Sequence, residues 1–186
     1  MNLFILDDDP VVAAQLQCDK HVVKMIVESA QMLSTAHRII DGEVEKRLSM
    51  SGKTMVKYWV HPDSNQEPVL YRVAHQAHPC TIWTMASSEN YNWHYEHFTA
   101  LCDEYTYRYG KVHATETKLA TVLRNPPKNI EYTDRKSPFR LAMGSNPECM
   151  FEDAVKSYRA FYQTKQERFK MLWTKRKQPE WFNAIV

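Results

Sequence analysis

From Val11 to Asp41 the chain contains neither glycine nor proline, and Pro10 stands directly in front of that stretch. Val11, Ala14, Cys18, Val22, Met25, Ser29, Leu33, Ala36 and Ile40 recur at steps of three and four, with Ile26 widening the stripe. That is the period of one buried face of a helix. Asp8 or Asp9 suits the N-cap, and Pro10 suits the first helical position, where its missing N–H costs nothing. The pattern predicts one long opening helix, with Ser34-Thr35 the place for a bend. It limits the fold to one built around a helix that must lay its apolar face on other elements.

The opposite face carries Gln17, His21, Lys24, Glu28, Gln31, Thr35 and Arg38, again at helical spacing. A solvated face is the commoner fate of such residues. His21, Gln31 and Thr35 are less typical of one. Lys24 and Glu28 lie four apart, in the less favourable order for a helical ion pair. Buried together, Lys24 would have its pKa lowered and act as a Schiff-base amine, with Glu28 moving protons and His21 alongside. Lys24, Glu28 and His21 are therefore the catalytic candidates, with Gln31 and Arg38 as ligand-binding neighbours.

Composition fits a helical reading. A chain of 186 residues with 44% hydrophobic content can bury a core, and only four glycines argue against a turn-rich β fold. The expected architecture is all-α, one compact domain over residues 1–186. Three to five helices with long irregular connections would build it. Residues 41–77, punctuated by Gly42, Gly52, Pro62 and Pro68, read as a loop. Met55–Val60 is strand-like there but stands alone. Pro79 suits a second helix start, and Ser87 or Ser88 can cap a helix that Gly110 stops. A further helix is expected over Thr115–Leu123, and a last one from about Glu152 to Trp173. Four widely spaced cysteines without a C-x-x-C pattern read as reduced thiols of a cytoplasmic protein. Leu3–Leu6 is too short for a signal peptide, and no apolar run is long enough for a membrane span.

A net charge of +2 excludes no partner, but the distribution of charge is informative. The C-terminal stretch interleaves cations with rings and ends in a basic aromatic tail from about residue 173: Trp173, Lys175, Arg176, Lys177 and Trp181. Cations for phosphate and flat rings for bases are what DNA binding needs. His78, Asn90, Trp93 and His94 cluster around a helix entrance and are candidates to line a site. Asp7, Asp8 and Asp9 read as a cap and a helix-dipole partner. Cys18-x-x-His21 and His75-x-x-His78-x-Cys80 offer zinc-ligand types, but neither is a finger-type spacing. No metal or other cofactor is expected.

The helix order and residue character resemble the phage pyrimidine-dimer DNA glycosylase family over about half the chain. The comparable pieces are Ala14 to Thr35, His78 to Gly110, and the tail from Trp173 to Phe182. That resemblance implies an all-α enzyme that binds damaged DNA. Its nucleophile would be the α-amino group of the mature N-terminus, assisted by a glutamate on the first helix. Glu28 is the corresponding position here. Asn2 departs from the small second residue of the family and leaves Met1 in place. An amine, the N-terminus or Lys24, would attack the sugar C1′ while Glu28 stabilises the developing charge. The alternatives are a nucleotide or small-molecule pocket on the same helix face, and a non-enzymatic nucleic-acid-binding module.

Overall fold

A computed structural model describes residues 1–183 of the chain. It contains six α-helices and a two-stranded antiparallel sheet, so the fold is mixed α/β, though mostly helical. The all-α expectation is corrected by a hairpin of β1 (Glu43–Leu48) and β2 (Met55–Val60), with Glu43 opposite Val60 and Leu48 opposite Met55. Every residue of β1 is exposed. A strand that buries neither face needs no alternation of apolar and polar residues, so Glu43–Leu48 carries no period-two signal. Its pairing partner, Met55–Val60, therefore has no matching strand pattern in the sequence. At the hairpin's root, Gly42 runs so close to the carbonyls of Arg38 and Val60 that no Cβ fits.

The opening helix is two helices, α1 (Pro10–Gln15) and α2 (Asp19–Ile40). Asp9 caps α1, its carboxylate accepting the Val11 and Val12 N–H groups. The break at Leu16-Gln17-Cys18 has no glycine or proline behind it. Tertiary partners take up the backbone groups instead. Trp173 Nε1 donates to the Leu16 carbonyl at 2.9 Å, and Arg108 Nη2 to that of Gln15 at 3.0 Å. The Cys18 N–H donates to the Tyr162 hydroxyl at 2.8 Å, and the Asp19 N–H to the Leu172 carbonyl at 2.8 Å. With its end groups satisfied from outside, the chain needs no continuous helix there. The face of α1 shifts accordingly: Ala13 and Ala14 are buried, whereas Val11 is 46% exposed. Beyond the break, α2 runs unbroken past Ser34-Thr35.

Helix α2 packs against α3 (Pro79–Met85) and α4 (Ser88–Tyr109), and α1 also packs on α4. Ser87 caps α4 and Gly110, at φ 66°, ends it. α5 spans Ala114–Leu119, and α6 spans Ala154–Gln163 before a tight 3-10 turn over Thr164–Glu167. Both are shorter than their sequence patterns. The N-terminal arm is buried, Leu3 to Leu6 each being under 5% exposed. The tail turns back onto the body, with the Trp173 and Phe182 rings 4.9 Å apart in the core. A buried ion network locks it there. Arg108 donates to Glu104 at 2.6 Å and to Asp19 at 2.9 Å, and Arg176 donates to both oxygens of Glu104 at 3.1 and 2.8 Å. The four cysteines are free and buried. Among the described residues no helix is long and apolar enough to cross a membrane.

Candidate active site

The buried arm delivers the start of the chain onto the first turns of α2. Asn2 is 6% exposed and anchored from both ends of its side chain. Its Nδ2 donates to the Ala142 carbonyl at 3.2 Å, and its Oδ1 accepts the Phe4 N–H at 3.1 Å. Phe4 takes the left-handed conformation at φ 50°, which a bulky L-residue adopts only where its surroundings hold it. This turn sets the Asn2 N–H 3.1 Å from Glu28 Oε2, and the Met1 amino nitrogen 3.6 Å from the same oxygen. Lys24 Nζ lies 3.1 Å from Glu28 Oε1, but its side chain is 64% exposed, so the shared burial expected to make it a Schiff-base amine is absent. The carboxylate, 12% exposed, therefore sits between two amines.

A cleft of about 240 Å³ opens over this group. Its walls hold three cationic side chains, Lys24, Lys165 and Arg168, and four rings, Phe4, His21, Phe161 and Phe169. The 3-10 turn after α6 is what swings Lys165 and Arg168 towards α2. Phe4 stacks on His21 with centroids 4.5 Å apart, and Phe169 meets His21 edge-on at 5.4 Å. Burial, and then the charges of Lys24 and Lys165, push the His21 imidazole down to about 3. It is a neutral wall at physiological pH. The Tyr162 hydroxyl accepts the Cys18 N–H and shares a 2.8 Å hydrogen bond with His21 Nδ1. Lys165 is pushed down to about 8, first by burial and then by Arg168. Its ammonium lies over the Phe161 ring, 3.3 Å from the centroid. His78 caps α3 on the far side of Met1 and is held below its ordinary range by burial, then by the positive amino terminus.

The polar stripe of α2 thus serves two environments. His21, Lys24 and Glu28 line the cleft. Gln31, half-buried, lies outside its lining. Thr35 and Arg38 are buried against the segment after β2. The Arg38 guanidinium donates to the carbonyls of Tyr71, Trp59, Glu67 and Leu70 and to the Glu67 carboxylate, which commits it to the fold. Asn90 is fully buried, bonded to the Trp83 carbonyl and to Ser137. Trp93 donates to the Asp8 carbonyl, and His94 shares a 2.7 Å hydrogen bond with Thr84, both within the core.

In the tail, Trp173 is buried and Arg176 is taken by Glu104. Lys175 donates to the Tyr107 carbonyl at 2.8 Å, and Trp181 packs near Tyr162. Lys177 is exposed. None of these tail residues lines the cleft. Sequence reasoning named the amino terminus through the family resemblance; among the lining residues it left out of the site are Asn2, Lys165, Arg168 and Phe169. The last three belonged to the basic aromatic stretch, but a helix continued to Trp173 gives no reason to point them at α2. Cys18, His21, His75, His78 and Cys80 form no three-ligand group, and His75 is exposed.

Comparison with family models, curated proteins and solved structures returned no match.

Proposed function

We propose that the cleft is the active site of a DNA glycosylase that uses an amine as nucleophile on a damaged or modified pyrimidine nucleotide, with an associated lyase step. The observation that carries this reading is the Met1 amine 3.6 Å from a shielded Glu28 carboxylate, under a rim of cations and rings. In the proposed reaction the unprotonated amine attacks C1′ of the sugar, and the C1′–N bond to the base breaks. The base leaves with the bonding pair and the amine nitrogen gives up one proton; the C1′–O4′ bond then opens, O4′ takes up a proton, and the C1′=N iminium that forms keeps the other N–H. Glu28 faces the cation that develops and shuttles those protons. Were Met1 removed, the Asn2 nitrogen at 3.1 Å would present the free amine to the same carboxylate. Lys24, Lys165 and Arg168 would hold backbone phosphates. A cleft of about 240 Å³ suits a single everted base or sugar. Drug-sized ligand sites run to roughly 300–1,000 Å³, which weighs against a pocket for a whole small-molecule ligand.

Borohydride reduction on abasic-site DNA tests the proposal, because it fixes an iminium as a stable protein–DNA adduct. The wild-type chain should form one, and Glu28→Gln should lower its rate by about 10²–10⁴-fold. Absence of any adduct at high protein concentration would overturn the amine chemistry. Thermal-shift screening against nucleotides distinguishes the small-molecule alternative, since a ligand selective for the native state raises the melting temperature.

A further inference from the structure

A second constellation lies away from the cleft, where the hairpin joins the body. His37 and Asp41 are one turn apart at the end of α2, and His61 follows β2 directly. One ligand atom from each lies within 4.8 Å of the others, the one such trio among the described residues. All three side chains are shielded: His37 is 3% exposed, His61 4%, and the Asp41 side chain 4%. Two of their nitrogens, His37 Nδ1 and His61 Nε2, are buried without a hydrogen-bond partner. A buried polar atom left unpaired costs about 1–3 kcal/mol, so two within one such trio call for an explanation.

We propose that His37 Nδ1, His61 Nε2 and one oxygen of Asp41 bind a first-row divalent transition-metal ion, with zinc the ion they suit best. Two imidazoles and a carboxylate are a donor set such ions accept. The surrounding bonds orient the ligands. Tyr91 donates its hydroxyl proton to the Leu123 carbonyl at 2.9 Å, so the Tyr91 oxygen receives the Nε2–H of His37 at 2.9 Å and the Nδ1 lone pair is left over. Asp41 is steadied by the N–H groups of Lys128 at 2.8 Å and Asn129 at 2.9 Å. His61 Nε2 already lies 3.9 Å from Asp41 Oδ2, close to the roughly 3.4 Å between tetrahedral ligands around zinc. Coordination moves the His61 proton to Nδ1, at the cost of the 3.2 Å bond from the Asp63 N–H. The ion would tie together both roots of the hairpin, the end of α2 and the segment at 128–129.

Equilibrium dialysis and visible spectroscopy on the EDTA-stripped full chain test this with Zn²⁺ and Co²⁺. The expected result is one ion per chain, a Co²⁺ spectrum with nitrogen ligation, and a melting temperature that rises with Zn²⁺. His61→Gln and Asp41→Asn should each weaken binding at least tenfold while keeping the wild-type circular dichroism, whereas Cys80→Ser should bind as wild type. No stoichiometric binding by the wild-type chain would overturn the proposal. Equal binding by wild type and both folded variants would do the same, by placing the ion elsewhere.

Discussion

Arg108→Met removes the centre of the buried network that holds the tail to the body. The side chain is fully buried and bonds Glu104, Asp19 and the Gln15 carbonyl. Taking one partner out of a buried ion pair costs about 3–5 kcal/mol, because the other charge is left uncompensated. Glu104 keeps Arg176, which donates at 3.1 and 2.8 Å and is one-third exposed, so the lower end, about 3 kcal/mol, is expected. In a chain of this size that corresponds to a fall in Tm of about 6–12 °C. Urea unfolding should show a lower midpoint with unchanged slope. Adding Glu104→Met should recover part of the loss, since Arg176 and Asp19 lie near enough to the surface to hydrate. A single variant within about 0.5 kcal/mol of wild type would refute the idea that the network holds the tail in place.

Three further outcomes follow from other parts of the structure. Gly42→Ala should destabilise by about 1–3 kcal/mol in urea titrations, because its Cβ would fall on the Arg38 carbonyl; an unchanged midpoint would show that the hairpin root yields freely. His21 and His97 are buried, with pKa values pushed down to about 3 and about 4, mainly by burial. The unfolded chain then binds more protons than the native one, so stability should be full above about pH 6.5 and fall towards pH 4. The slope is up to about 1.4 kcal/mol per pH unit for each histidine, and a midpoint that is flat or rises on acidification would contradict the burial argument. Lys165→Met should weaken DNA binding at all sequences and reduce the slope of log affinity against log salt by about 1; an unchanged slope would remove Lys165 from the phosphate contacts.

The parts of the fold that could be read from the chain are those governed by local rules. Asp9, Pro10, Ser87 and Gly110 mark helix ends because caps act within a few residues. The break at Leu16–Cys18 follows from Arg108, Tyr162, Leu172 and Trp173, which are distant in sequence. The hairpin has no sequence signature because a fully exposed β1 leaves its apolar pattern unconstrained. Lys24 and Glu28 stood out through their spacing of four on one helix. The amino terminus entered through the family resemblance alone, because its place beside Glu28 depends on an arm whose Phe4 adopts φ 50°. Arg38, Asn90 and His94 share the composition of site residues but spend their polar groups on backbone carbonyls and core neighbours.

Mapping the borohydride-trapped adduct by peptide mass spectrometry tests the central claim most directly. The sugar fragment should be found on the α-nitrogen of the N-terminal peptide, and an added N-terminal extension, which turns that amine into an amide, should abolish it. A fragment attached instead to a lysine outside the cleft, such as Lys175 or Lys177, or trapping that survives the extension unchanged, would contradict the assignment of the Met1–Glu28 pair.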